Sequence, residues 1–152
     1  MGVEFITTDN QNDDFIKLTV LLDRELDDIY GELQKEYKKH NKVDFIKDVV
    51  ILYADGEPVA CGAFKEYTGD SVEMKRVFVK AEHRRTGLSK LIMAKLEEIA
   101  ESRGYSYAIL QTGSKQHEAI SLYKNLGYEA IANYGVYIGD SNSVCMRKGI
   151  KK

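Results

Sequence analysis

The segment from Val72 to Thr112 constrains the fold of this chain more than any other. Val72 to Val79 reads as a strand, Arg84 to Ser89 as a basic loop containing a glycine, and Leu88 onward as a helix with Leu91, Ile92, Leu96 and Ile99 at helical spacing. Tyr105 to Thr112 then alternates as a second strand. A strand that reaches another through a helix predicts a right-handed crossover between parallel neighbours. Gly104 stands where a left-handed C-terminal cap belongs and so marks the end of the helix.

The flanking segments predict antiparallel additions to that unit. Val3 to Thr7 reads as a short first strand, and Asn12-Asp13-Asp14 supplies a capping side chain and acids for a helix start. Phe15, Leu18, Leu22, Leu26 and Ile29 give an amphipathic helix of about four turns, interrupted by Gly31. Glu32 to Lys42 reads as a second, mostly charged helix whose run from Lys35 to Lys42 is a solvated face. Asp48 to Tyr53, the turn Ala54 to Pro58 with its Asp-Gly pair, Val59 to Tyr67, the turn Thr68-Gly69-Asp70 and Val72 to Val79 form a meander. A last helix over Gln116 to Asn125 places Ala119, Ile120, Leu122, Tyr123 and Leu126 inward and stops at Gly127. Tyr128 to Ala132 and Ser143 to Lys148 read as closing strands, and the expected architecture is one α+β domain over residues 1–152 with a mixed sheet.

Composition narrows the partners. With 152 residues, 43% hydrophobic and 30% charged, and a formal charge of −2, the chain has enough core for one domain and no overall basic field for nucleic acid. No apolar run approaches the roughly 20 residues of a membrane span, and the first ten residues do not resemble a signal peptide, so a cytoplasmic location is expected. Cys61 and Cys145 lie far apart in strand-like segments and are expected as buried, reduced thiols, with no metal site.

The loop Arg84-Arg85-Thr86-Gly87-Leu88-Ser89 follows a strand and opens a helix, where backbone N–H groups without intrahelical partners converge at the positive end of the helix dipole. Gly87 lets the backbone approach a ligand closely, Ser89 adds a hydroxyl, and Arg84, Arg85 and Lys90 add cations suited to phosphate oxygens. The bland alternative is a basic surface loop with a glycine for its turn. Walker and dinucleotide-binding glycine patterns are missing, and the small basic cluster is flanked by Glu82, Glu97 and Glu98, which disfavours nucleic acid.

The order of elements and this loop together resemble the GCN5-related N-acetyltransferase (GNAT) superfamily, over nearly the whole chain. In that family a Q/R-x-x-G-x-G/A loop holds the pyrophosphate of acetyl-coenzyme A, and Arg84 to Ser89 falls on it, with Ser89 in place of Gly or Ala. A second stretch, Gln116 to Tyr128, resembles the family's N-x-x-A-x-x-L-Y-x-x-x-G-F signature, with Gln116 for Asn and Tyr128 for Phe. The resemblance implies a layered α/β/α GNAT fold in which Val77, Phe78 and Val79 pair with the pantetheine arm and the neighbouring parallel strand splays away to form the acetyl-coenzyme A slot.

It also implies the chemistry. An amine with a pKa near 10.4 is neutral in only about one molecule in a thousand at pH 7.4, so a base is needed. Glu73 matches a strand position that carries a carboxylate in many members; the alternative is that it pairs with Lys75 or Arg76 on an exposed sheet face. A backbone N–H of Val77 to Val79 would stabilise the oxyanion. Tyr123 matches the family tyrosine that protonates the departing thiolate, although an aromatic on the inner side of a helix is unremarkable in a chain with 10 tyrosines. Gln116 is expected to bind pantetheine or cap its helix, and His117 to face solvent. Tyr134 and Tyr137 are expected to line the acceptor pocket, with Asp27, Asp28 and Glu32 suited to a cationic acceptor. The implied partners are acetyl-coenzyme A and an amine acceptor, without membrane or nucleic acid, and a homodimer is compatible with the sequence. A coenzyme A-binding sensor without efficient transfer is the alternative function.

Overall fold

The computed structural model describes residues 2–33 and 46–152. β1 (Val3–Thr8) leads to Asn12, whose Oδ1 accepts from the amides of Asp14 and Phe15 at 2.9 and 3.1 Å and so starts α1 (Asp13–Tyr30). Phe15, Leu18 and Leu22 are buried as the periodicity predicts, each worth about 1.5–3 kcal/mol against full exposure. Ile29 is instead exposed and Tyr30 takes the inward position, because the stripe drifts around the helix over its last turn. Gly31, at φ +55°, caps α1 by donating to the Asp27 carbonyl and opens a 3-10 turn, Gly31–Leu33. The rest of the charged helix expected over Glu32 to Lys42 lies outside the described residues.

β2 (Asp48–Ala54) and β3 (Glu57–Thr68) form the antiparallel hairpin signalled by Asp55-Gly56, with φ +51° and +82°. Positive φ at both turn residues matches the twist of the flanking strands. The register shifts at Leu52/Tyr53, so Val59 is the extra residue between Pro58 and Ala60. β4 (Ser71–Val79) follows, then a 3-10 turn (Ala81–His83), α2 (Leu88–Ser102), β5 (Tyr107–Gly113), α3 (His117–Asn125), β6 (Glu129–Ile131), a further 3-10 turn (Gly135–Tyr137) and β7 (Ser143–Gly149). The strand order is β1-β2-β3-β4-β5-β7-β6. β4 and β5 are parallel from Ser71↔Tyr107 to Glu73↔Ile109, whereas β1–β2, β2–β3, β5–β7 and β6–β7 are antiparallel. This is the mixed, mostly antiparallel α+β sheet that the sequence predicts.

Three expectations are corrected. α2 buries Leu88, Ile92, Met93, Leu96 and Ala100, while Leu91 is 43% exposed, so the inward stripe is rotated from the predicted one. β5 starts at Tyr107 rather than Tyr105. The amide of Gly104, at φ +91°, bonds the Glu101 carbonyl at 3.0 Å and that of Tyr105 the Ala100 carbonyl at 3.2 Å, so these residues close the helix end. Around α3 only Tyr123 is fully buried; Ala119, Ile120, Leu122 and Leu126 are half-buried.

Two compact units divide the chain, Met1–Lys65 with Lys75–Leu96 and Glu66–Met74 with Glu97–Lys152. In the first, Phe15, Leu18 and Leu22 of α1 pack with Val49, Ile51, Cys61, Ala63 and Phe78. Gly62 points to the opposite face, where a Cβ would come within 2.6 Å of Ile92 and 2.8 Å of Leu96. Helices thus cover both faces of the sheet in this unit, as a layered α/β/α arrangement requires. In the second, β5 pairs with β7 along its full length, and Glu97 receives hydrogen bonds from Tyr128 Oη at 2.8 Å and Lys148 Nζ at 2.7 Å. Cys61 and Cys145 are both buried and unbridged, and burial pushes the Cys61 thiol up to about 12.

Candidate active site

In the first unit the basic loop is built mainly from backbone. Arg85 at φ +63° and Gly87 at φ +83° turn the chain into α2, and the Leu91 amide bonding the Gly87 carbonyl at 3.2 Å is the first helical link. The amides of Leu88, Ser89 and Lys90 therefore precede any possible intrahelical acceptor at the positive end of α2. A Cβ at Gly87 would meet nothing within 4 Å, so glycine is required there by backbone conformation and leaves the approach to the loop open. Thr86 Oγ1 donates to the His83 carbonyl at 2.6 Å and ties the turn together.

Arg84 makes contacts of its own within the protein. Its Nε donates to the Val79 carbonyl at 3.0 Å, its guanidinium pairs with Glu25 of α1 and it stands 5.6 Å from the centre of the Phe78 ring. It braces the end of β4. Arg85 and Lys90 are exposed, Ser89 is half-buried and Leu88 is buried. Along β4, Phe78 and Val79 are buried and Val77 is half-buried.

The second unit holds a different kind of site, made of buried side chains. Glu73 is 4% exposed, so it does not lie on an exposed sheet face. Nor does Arg76 offer such a face: it is 8% exposed, sits at φ +57°, and donates to Asp23 at 2.9 Å and the Thr19 carbonyl at 3.0 Å. Glu73 Oε2 accepts from Tyr134 Oη at 2.7 Å. Burial, and then the Glu73 charge, push the Tyr134 phenol far above its ordinary range. The Tyr134 ring stands edge-on to Tyr67 at 5.0 Å and to Tyr137 at 5.7 Å.

Tyr123 is 9% exposed, and burial raises its phenol to about 12. Its ring meets Tyr128 at 5.9 Å, and among the described residues nothing hydrogen-bonds its hydroxyl. Gln116 neither caps α3 with its side chain nor projects freely. Its Oε1 accepts from the Gly113 amide at 3.0 Å and Thr112 Oγ1 at 3.2 Å, closing the turn after β5. His117 is exposed, as expected. Tyr137 is buried at 3%, and Asp28 and Glu32 are exposed. The Glu73–Tyr134 pair was missed in the sequence because its members are 61 residues apart and no local pattern joins them.

A seven-stranded mixed sheet with one parallel pair described, a helix starting at an open glycine loop and a buried carboxylate on the strand before it characterise this fold. A crystal structure described as a putative acyl-CoA N-acyltransferase from Klebsiella pneumoniae has this fold, with a TM-score of 0.82, 28% identity and 97% of each chain covered. The fold recurs, at 16% identity and a TM-score of 0.76 over 98% of this chain and 99% of the other, in the PaiA N-acetyltransferase of Thermoplasma acidophilum, whose structure contains coenzyme A. Residues 14–128 match the acetyltransferase (GNAT) family, and the chain belongs to it. Among curated relatives, the IAA acetyltransferase of Azospirillum brasilense is 30% identical over 90% of both chains. The uncharacterized N-acetyltransferase YsnE of Bacillus subtilis is 36% identical over 62% of this chain. The chain spans less than two thirds of the length of several of these relatives, 64% of YsnE and 30% of the rat N-acetyltransferase family 8 member 2. No described helix is long and apolar enough to cross a membrane.

Proposed function

We propose that this chain is an N-acetyltransferase that moves an acetyl group from acetyl-coenzyme A to a primary amine by direct attack. The observation that carries the reading is the start of α2, where the amides of Leu88, Ser89 and Lys90 precede the first helical acceptor behind a glycine whose approach is open. That geometry fits a pyrophosphate, and the motif register from Arg84 to Ser89 favours coenzyme A over other phosphates. Arg85, Thr86 and Lys90 belong to the same clamp, Arg84 braces it, and Gln116 shapes the turn before α3. Backbone groups of Val77, Phe78 and Val79 bind the pantetheine amides, as an extended ligand adds to a strand.

In the reaction Glu73 takes a proton from the acceptor ammonium, freeing the nitrogen lone pair to attack the thioester carbonyl. A backbone amide of Val77 to Val79 donates to the carbonyl oxygen as charge develops on it. As the new C–N bond forms and the C–S bond breaks, Tyr123 gives its proton to the departing sulfur, and the nitrogen sheds its second proton to solvent, from which the phenolate is reprotonated. A phenol raised to about 12 is protonated throughout the neutral range and so is always available as that donor. Thiol appearance from acetyl-coenzyme A across a panel of amines tests the proposal. Amine-dependent release is expected; tight coenzyme A binding without it would point instead to a coenzyme A-binding sensor.

A further inference from the structure

The Glu73 carboxylate is buried on a strand, and a buried glutamate has three side-chain torsions to fix before it can meet a proton in one direction. We infer that Tyr134 is a positioning residue for Glu73, its hydroxyl holding Oε2 at 2.7 Å so that the carboxylate keeps one orientation toward the acceptor amine. The inference rests on Glu73 being the general base.

Tyr134 is itself held on several sides. Tyr67 and Tyr137 stand edge-on to its ring at 5.0 and 5.7 Å. Its carbonyl accepts from the Tyr137 amide at 3.0 Å, and Asn133 Nδ2 donates to the carbonyls of Tyr137 at 3.1 Å and Asp140 at 2.9 Å. These bonds clamp the turn that carries it. Gly135 takes φ +53°, and a Cβ there would approach Tyr67 Oη to 3.2 Å, so a glycine lets the turn lie against Tyr67. The titratable groups facing the pair are Tyr67, Tyr137 and Cys145 on β7, whose thiol burial pushes up, with Asp140 beyond Cys145. Burial and the Glu73 charge hold the Tyr134 phenol protonated, so it stays a donor and does not compete as a base. A charge-assisted bond of this length is a strong orienting contact.

A purely structural tyrosine would make different predictions in a double-mutant cycle. Thiol release from acetyl-coenzyme A is measured with phenethylamine, with spermidine and with water as acceptor, for wild type, Glu73→Gln, Tyr134→Phe and the double variant. Phenylalanine keeps both ring contacts, and near-ultraviolet circular dichroism checks the fold. The expected result is a roughly hundredfold or larger fall in kcat for Glu73→Gln. Tyr134→Phe is expected to lower kcat about tenfold with the KM for acetyl-coenzyme A unchanged, and the double variant to be no slower than Glu73→Gln alone. If Tyr134→Phe leaves kcat intact, or costs the same factor in both backgrounds, the positioning role is overturned while the base survives. If Glu73→Gln works at the wild-type rate, the base reading fails and takes this inference with it.

Discussion

The loop at the start of α2 and the cluster around Glu73 handle charge in opposite ways. The loop is exposed from Arg84 to Gly87 and presents backbone amides behind a glycine. The cluster is buried and relies on side chains, with the Tyr134 phenol bonded to one carboxylate oxygen of Glu73. A diffuse, multiply charged ligand is well served by many exposed donors, whereas moving one proton requires one group in one orientation. Substitutions in the two regions should therefore fail differently, the loop in cofactor affinity and the cluster in turnover.

The contrast is sharpest for Glu73→Gln, which is expected to lower kcat by about two orders of magnitude or more while the acetyl-coenzyme A KM stays near wild type. Steady-state thiol release decides it, and a change confined to KM would dissolve the contrast. Gly87→Val forces a β-branched residue to φ +83°, at a cost of about 1–2 kcal/mol. Its acetyl-coenzyme A affinity should fall about tenfold by calorimetry with kcat at saturation largely retained. Tyr123→Phe should reduce kcat toward the lower end of the range for general acids, about a hundredfold. Its melting temperature should hold, since the lost hydroxyl has no hydrogen-bond partner among the described residues.

The smallest effect is in alkaline stability. Because burial raises Tyr123 from 10.0 to about 12, the unfolded chain ionises first as pH rises. Stability is intact below pH 10 and declines from there to about 12. Tyr123→Phe should recover about 1 kcal/mol near pH 11 in urea unfolding and nothing at pH 7.

The same division explains what could be read from the chain. Asn12, Asp55-Gly56, Gly104 and Gly127 act through their own backbone and nearest amides, so their positions carry their meaning, and the elements they bound fall within a few residues of expectation. That Arg84 to Ser89 forms a loop opening α2 was legible for the same reason, whereas the contacts of Arg84 with Val79 and Glu25 were not. The phase of α2 was not, because Leu88 and Leu91 are equally apolar and only the sheet beneath decides which one is covered. Glu73 was recognised as a candidate but not as buried, and Tyr134 was not recognised as its partner. Both facts depend on a contact between distant parts of the chain. Arg76 likewise reads as a surface cation until its pairing with α1 is seen.

Gly62 gives the first unit a mechanical tolerance. With no Cβ to hold them apart, Ile92 and Leu96 settle against β3, and α2 is seated by the absence of an atom. Any larger residue there would act as a wedge under the middle of the helix and tilt its first turn, the turn that carries Ser89 and Lys90. A mutational scan of coenzyme A affinity would then score position 62 beside the loop residues, although a glycine buried in the sheet touches no phosphate.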